Sequence, residues 1–412
     1  MINSIGIIGS GLAGVTVARS LRALGYSGKI LLFGEEEYHA YDRPSLSKAA
    51  LLDNIPQPIS LVPEGSFEKE AIEIHANRVA SFDPDSMVLR SITGDVFSVD
   101  KVVFATGLRP IELDFIGSKL VGVMNLRTWS DQVLLRGFLK PEASIVIVGG
   151  GLIGCEVAST AKSLGAKVTI LEAGDEILSR VLGKAVGQRC RSNLEAIGID
   201  VRLRTSLERV EGSDKVEAVI ASDGSRIEAD AVLIAIGGLP DTEVAKAAGI
   251  NCDRGIVVDA YGQTSHKDVF AAGDVANWPL ADGTRRSLET YLNTQDQANC
   301  VAESILGKGT ARPQLAKGWT EIAGRKIQFV GDMTSPGQLL VRRYESGNSH
   351  IAFIIGEEGT LRSALAVDAP KEFALAMRLV EKNLKVPLED LACPDVSLRE
   401  IIKTSKILEK VI

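Results

Sequence analysis

Two glycine-rich turns, and the acids that follow them, are the residues whose spacing most directly specifies chemistry in this chain. The first turn is Gly9, Ser10, Gly11, Leu12, Ala13, Gly14; the second, 140 residues later, is Gly149, Gly150, Gly151, Leu152, Ile153, Gly154. In such a turn the first glycine permits a tight reversal. The second lets backbone approach a pyrophosphate, and the third lets helix and strand pack closely. The start of the following helix offers free N–H groups to the phosphates. One triplet is weak evidence, but two, each followed by an acid at the expected offset of about 20 residues, are specific. Glu35 lies 21 residues beyond Gly14, and Glu172 lies 18 beyond Gly154. A carboxylate there accepts hydrogen bonds from ribose hydroxyls and repels a 2′-phosphate. Glu172 is followed by Ala173, Gly174 and Asp175, with no cation in the local sequence. The second turn is therefore expected to prefer NADH to NADPH.

Each turn has to be held between a strand and a helix. Residues 4–9 read as an apolar strand and 15–24 as a helix, and the same grammar returns in residues 144–148 and a helix ending at Leu164. The next strands, 29–33 and 167–171, lead to the acids. Both units close with apolar strands ending in glycine, residues 102–106 before Gly107 and 231–236 before Gly237. A third such strand, 269–272, runs into Gly273 and Asp274. Because it follows the second unit, the chain is expected to return to the first domain there. From Lys317 the pattern changes to short alternating strands, such as 327–330 and 351–355, followed by a helix over 371–381. The expected fold is α/β: two Rossmann-like dinucleotide-binding domains and an α+β C-terminal domain. The boundaries read as 1–110 with 246–316, then 111–245, then 317–412.

Composition narrows the function classes. With 46 Lys and Arg against 53 Asp and Glu, the net charge of −7 supplies no basic stripe for nucleic acid. No apolar stretch approaches the roughly 20 residues of a membrane span, and no basic leader precedes Ile5, so a cytoplasmic protein is expected. The five cysteines are Cys155, Cys190, Cys252, Cys300 and Cys393. Odd in number and far apart, they fit free thiols better than a disulfide framework. His39, His75, His266 and His350 show no ligand spacing, and no metal is expected.

The loop over residues 41–48, with Tyr41, Arg43, Pro44 and Lys48, is polar in an unusual place. Together with Thr106 and Gly107, residues 148–156, 273–275 and 287–291, it resembles the ferredoxin reductases of bacterial aromatic-ring dioxygenases. Residues 152–158 and 170–175 resemble especially those of toluene, benzene and biphenyl dioxygenase systems. The similarity extends over essentially the whole chain, including residues 319–324 and 367–370. It implies a glutathione-reductase-like flavoprotein architecture, with FAD on the first unit and NAD on the second. By that resemblance Gly9, Gly11, Ala13 and Gly14 receive the FAD pyrophosphate, Glu35 its adenosine ribose, and Val79 its adenine through backbone. Arg43 and Lys48 lie near the pyrophosphate and ring, Arg127 reaches across from the other unit, and Asp274 binds the ribityl chain. Tyr291 stands beside the flavin where many relatives have Trp or another residue. Gly149, Gly151, Ile153, Gly154 and Glu172 form the NAD site, with Glu156 near the nicotinamide. Blander readings stand beside these: a solvated Lys48, a helix-start Glu156 favoured by the dipole, and Asp274 as a helix N-cap.

Lys48 and Glu156 are expected to pair, with Lys48 stabilising reduced flavin. Residues 15–60 contain no cysteine, so the disulfide relay of glutathione-reductase-like proteins has no place here. Electrons are expected to leave singly, to a Rieske-type 2Fe–2S ferredoxin as the resemblance implies, and indirectly to a terminal oxygenase. A local basic rim is expected for an acidic carrier, with Arg285, Arg286, Lys317, Arg325 and Lys326 as the candidates and plain solvated surface as the alternative reading of each. An NADH oxidase and an NADH-binding redox sensor remain the alternatives.

Overall fold

In the computed structural model of the chain, residues 2–408 are described, apart from 39, 54, 56 and 345–348. Strand Ser4–Ile8 is the centre of a five-stranded parallel sheet. Its order is Val269–Ala271, Lys101–Phe104, Ser4–Ile8, Lys29–Phe33, Ile72–His75. A parallel sheet covered on both faces can be apolar throughout, which is why these strands do not alternate. Ile5, Ile7, Ile30, Leu32, Val102 and Val103 are fully buried. The helix after the first turn is Leu12–Ala23, beginning earlier than the apolar pattern from Val15 suggests, because Gly11 occupies its N-cap and Ala13 and Gly14 lie inside its first turn.

The second unit repeats this plan. Its parallel sheet has the order Asp200–Leu203, Lys167–Glu172, Ser144–Val148, Ala231–Ile234, Val123–Met124, with helix Leu152–Ser163 after the turn. The duplication runs beyond the turns. Each unit also carries a three-stranded antiparallel sheet: Val79–Asp83, Val88–Ser91 and Val96–Ser98 in the first, Leu207–Glu211, Ala218–Ala221 and Arg226–Glu228 in the second. An antiparallel ribbon of Leu108–Pro110 with Gly238–Pro240 ties the units together just beyond their closing strands.

The C-terminal sheet is antiparallel, in the order Lys317–Ile322, Arg325–Val330, Leu361–Val367, His350–Ile355, Gln338–Arg343. Alternation was the expectation for residues 351–355, yet every residue of His350–Ile355 is buried. The reason is that both faces of this strand are covered. Ile351, Phe353 and Ile355 pack with Phe373 and Leu379 of helix Pro370–Glu381, while Ile354 joins the core of the second unit through Ile327, Phe329 and Leu365. That second contact brings the C-terminal sheet against the two nucleotide units. Among the described residues no helix is long and apolar enough to cross a membrane.

Candidate active site

Glycine geometry places the first turn. Gly9 has φ +114°, and a Cβ there would lie 2.2 Å from the Ala105 carbonyl oxygen; one on Gly14 would lie 1.9 Å from that of Gly9. Those two glycines are required by the protein's own packing. Gly11 differs, since a Cβ on it would meet nothing within 4 Å. Its bare backbone faces a cavity of about 350 Å³, within the usual range for small-molecule sites. Gly11 also caps Leu12–Ala23 without any side-chain cap, so the first-turn N–H groups remain available to a ligand. Gly273 does packing work behind the wall: it has φ +79°, a Cβ there would lie 2.8 Å from Ala13 Cβ, and its N–H donates to Gln297 Oε1 at 2.8 Å.

Three parts of the chain meet in this cavity. Gly9, Gly11, Ala13, Glu35, Arg43, Lys48, Val79, Thr106, Gly107, Arg127, Asp274 and Tyr291 all line it, as do Ile153 and Glu156 from the second unit. The C-terminal sheet adds Gly318, Trp319 and Phe329. At the junction, Lys48 Nζ lies 2.7 Å from Glu156 Oε2, with side chains only 17% and 6% exposed. Lys48 also donates to the Pro44 carbonyl at 2.9 Å. Glu156 accepts from Ser47 Oγ at 2.5 Å and, on its other oxygen, from Thr320 Oγ1 at 2.6 Å. Lys48 is thus not a solvated surface lysine, and Glu156 is bonded on both oxygens inside its helix.

Further along the wall, Arg43 pairs with Glu36 and donates to Tyr41 Oη at 2.8 Å and to the Arg127 carbonyl at 2.7 Å. The Arg127 guanidinium lies 3.8 Å from Asp274 Oδ2. Burial, then the neighbouring Arg43 charge, lowers the Arg127 pKa from its ordinary value; burial raises that of Asp274 against the pull of Arg127. Each group therefore loses water that its partner only partly replaces. Asp274 sits in a turn rather than at a helix N-cap. Thr106 Oγ1 donates to the Asp241 carbonyl at 2.6 Å, and Tyr291 packs edge-on to Trp319 with ring centroids 5.5 Å apart. Glu35 stands at the rim, 64% exposed, with Arg78 at 3.9 Å.

The second turn has the same backbone geometry without the enclosure. A Cβ on Gly149 would lie 2.4 Å from the Ala235 carbonyl oxygen, one on Gly154 2.1 Å from that of Gly149, and one on Gly151 would meet nothing. Gly149, Gly151, Gly154, Glu172 and Gly237 do not line the cavity that Ile153 and Glu156 reach. Gly237, with φ +111°, ends the closing strand and accepts from the Ile111 amide at 3.0 Å. Glu172 accepts from the amides of Gly150 at 2.8 Å and Gly174 at 2.6 Å, which holds its carboxylate beside the turn.

Several cations are not where sequence reading puts them. Arg204, from the end of the neighbouring strand, pairs with Asp175 at 2.6 Å, close to Glu172 and invisible in the local sequence. Lys317, expected on a docking rim, is held by Asp296 at 2.6 Å and Glu381 at 3.2 Å. Arg325 is held by Asp368 at 2.7 Å, and Arg285 bonds the carbonyls of Val258 and Asn277. Arg286 and Lys326 are exposed, as is Arg285 despite its two bonds to carbonyls. Glu36 and Phe329 were not singled out from sequence, and Glu289, Trp319 and Thr320 only within the stretches 287–291 and 319–324 that carry the resemblance, with no site role, because only tertiary packing brings them to the cavity. His39 lies outside the described residues.

Residues 3–298 match the pyridine nucleotide-disulphide oxidoreductase family, and residues 318–402 match the reductase C-terminal family. The chain is a pyridine nucleotide-disulphide oxidoreductase. A relative 45% identical over 98% of this chain and 99% of its own is the benzene 1,2-dioxygenase system ferredoxin–NAD(+) reductase subunit of Pseudomonas putida. The biphenyl dioxygenase system ferredoxin–NAD(+) reductase component of Paraburkholderia xenovorans is 44% identical over 98% of this chain and 99% of its own. Among solved structures, the covalent putidaredoxin reductase–putidaredoxin complex has a chain 30% identical, with a TM-score of 0.92 over 98% of this chain and 99% of that one. Although the family's name includes a disulphide, this oxidoreductase has five free cysteines, and none lines the cavity.

Proposed function

We propose that the chain is an NADH-dependent ferredoxin reductase with FAD and NAD(H) as its cofactors. It takes a hydride from NADH and passes the electrons singly to a Rieske-type 2Fe–2S ferredoxin that serves an aromatic-ring dioxygenase. The observation that carries this reading is the buried Lys48–Glu156 pair, set where both nucleotide units and the C-terminal sheet line one cysteine-free cavity. Bound FAD supplies the conversion from two-electron to one-electron transfer.

The open backbone at Gly11 and the uncapped helix behind it fit a pyrophosphate, and the Arg127–Asp274 couple, short of hydrogen-bond partners, fits a polar chain. In this reading Gly9, Gly11, Ala13 and Gly14 hold the FAD pyrophosphate, with Glu35 and Val79 at the adenosine end. Arg43, Thr106, Gly107, Arg127, Gly273, Asp274 and Tyr291 shape the remainder. Gly149, Gly151, Ile153, Gly154, Glu172 and Gly237 hold NADH, and Glu172 disfavours a 2′-phosphate. Glu156, bonded by Ser47 and Thr320, fixes the Lys48 ammonium at the cavity wall as a preorganised positive charge where negative charge develops. We assign residues 1–110 with 246–316 to the FAD domain, 111–245 to the NAD domain and 317–412 to the C-terminal domain, in a cytoplasmic protein.

The test is an anaerobic titration of the purified yellow protein with NADH and with NADPH, followed by assays with Rieske ferredoxins. Cytochrome c reduction that is fast only when ferredoxin is added is the expected result. A long-lived charge-transfer complex without turnover would instead indicate a redox sensor, and rapid oxygen consumption an NADH oxidase.

A further inference from the structure

NADH and NADPH carry the same hydride and differ only by a phosphate on the 2′ oxygen of the adenosine ribose. A site separates them by the charge it offers there. In the second unit that place is the carboxyl end of the parallel sheet. Glu172 ends strand Lys167–Glu172, with its carboxylate held by the Gly150 and Gly174 amides. The neighbouring strand, Asp200–Leu203, stops beside it, with Leu203 in register with Glu172.

The next residue, Arg204, is bonded backbone to backbone into the same turn. Its N–H donates to the Gly174 carbonyl at 3.0 Å, and that of Thr205 to the Glu172 carbonyl at 2.9 Å. The fold therefore puts an arginine beside the ribose acid, where an NADPH site uses one to receive the 2′-phosphate. Here the guanidinium is already engaged. Arg204 Nε donates to Asp175 Oδ1 at 2.6 Å, and that bond, then the Arg204 charge, holds the Asp175 carboxyl below the usual carboxylate range. The two side chains are 76% and 63% exposed, so the pair adds little to folding and stands within reach of a bound nucleotide. Other cations near this edge are placed differently. Arg202 is taken by Asp200 and Ser225, and Lys184 acts on Asp175 through its charge without a hydrogen bond.

We propose that Asp175 is a second determinant of the preference for NADH, because it keeps from a 2′-phosphate the Arg204 guanidinium that the fold places beside Glu172. Glu172 repels the phosphate directly, and Asp175 removes the cation that would offset the repulsion. The chain thus carries a 2′-phosphate clamp in latent form, closed by one surface ion pair.

The inference rests on the reading of the second turn as the NAD(H) site and can fail separately from it. Two readouts test it in the holoprotein: calorimetric binding of 2′,5′-ADP against 5′-AMP, and oxidation of NADPH against NADH with ferricyanide as acceptor. Asp175→Ala should bind 2′,5′-ADP roughly 10-fold more tightly and raise kcat/KM for NADPH by a similar factor through KM. Its values for 5′-AMP and NADH should move less than about twofold. Adding Arg204→Gln should cancel the gain. Glutamine is used because Arg204 has φ +53°, where glycine would also change backbone freedom. Adding Glu172→Gln to Asp175→Ala should extend the gain for NADPH to roughly 100-fold. A gain that survives Arg204→Gln, or that is lost in Lys184→Ala instead, overturns the proposal, as does an equal change for both nucleotides or unchanged 2′,5′-ADP binding. If the wild-type protein binds neither 5′-AMP nor NADH, the reading of the second turn falls. If it binds both and Asp175→Ala discriminates as the wild type does, only the latent clamp falls.

Discussion

The two nucleotide units share one backbone device and differ in what surrounds it. In each, the outer glycines of the turn are forced by packing, and the middle one, Gly11 or Gly151, faces open space. Around Gly11 that space is walled by the residue 41–48 loop, Arg127, Asp274 and the C-terminal sheet. Around Gly151 it is not, and Glu172 is held beside the turn by the Gly150 and Gly174 amides. Enclosure suits a cofactor that stays, and an open turn suits a substrate that must leave after every turnover. In the reading proposed above, the duplicated fold supplies phosphate recognition twice, and residence time is set by what other parts of the chain place over each turn.

The strongest way to break this comparison is to fill the two open positions. Gly11→Val and Gly151→Val are made where a Cβ would meet no protein atom within 4 Å, so both variants should fold. Gly11→Val is expected to purify colourless, with absorbance showing FAD lost. Gly151→Val should stay yellow while its KM for NADH rises on the order of 100-fold, equivalent to about 3 kcal/mol. If both variants lose flavin, or neither does, the division of labour between the units is wrong.

Next in size is the pair that bridges the units. Lys48→Met leaves Glu156 buried without its countercharge, a loss of about 3–5 kcal/mol in such pairs, read by thermal or denaturant unfolding. Adding Glu156→Gln should restore most of that stability, because a neutral amide is cheaper to bury. Hydride transfer measured by stopped flow should remain slow in both variants. A double variant that regains rate together with stability would make the pair structural only. An unchanged rate and flavin potential in Lys48→Met would remove Lys48 from the chemistry.

A smaller effect is expected at Glu172. Glu172→Gln removes a charged acceptor for ribose, worth roughly 1.5–3 kcal/mol in a hydrogen bond to a charged group. The KM for NADH should rise by roughly 10- to 100-fold, the preference over NADPH should narrow, and the flavin spectrum should stay as it is. Arg204, held by Asp175 nearby, gives the narrowing a physical route, because a cation lies close once the acid is neutral.

How much of this could be read from sequence follows from range. The turns were legible because a glycine turn between strand and helix is a local pattern, and the parallel strands because uninterrupted apolar runs require two covered faces. The Lys48–Glu156 contact spans 108 residues, and Thr320 is 164 from Glu156; no periodicity announces such a meeting, and only resemblance suggested the first of them. Phe329 escaped notice because its strand reads as core of a separate domain, and Trp319 and Glu289, though inside the stretches that carry the resemblance, received no site role because nothing local shows that they reach the cavity. Charge partners are equally hidden: Lys317 reads as exposed until Asp296 and Glu381 are placed around it.

That last point yields the smallest and most discriminating prediction. The chain carries a net charge of −7, so an acidic carrier can be drawn in only by local positive surface. Arg286 and Lys326 are exposed, whereas Lys317, 15% exposed, already sits between two carboxylates that raise its pKa despite burial. Arg286→Gln and Lys326→Gln should therefore slow ferredoxin reduction and flatten its salt dependence, since charges more than about 10 Å apart are largely screened at 0.1 M salt. NADH oxidation by a small neutral dye should be indifferent to both substitutions. Lys317→Gln should leave the salt profile alone and cost up to about 1 kcal/mol of stability, as the loss of a partly exposed ion pair does. The opposite pattern, with Lys317→Gln altering salt dependence and Lys326→Gln silent, would mean that the Asp296 and Glu381 contacts open when the carrier docks. The basic rim would then extend to the C-terminal sheet, beside Trp319 at the cavity wall.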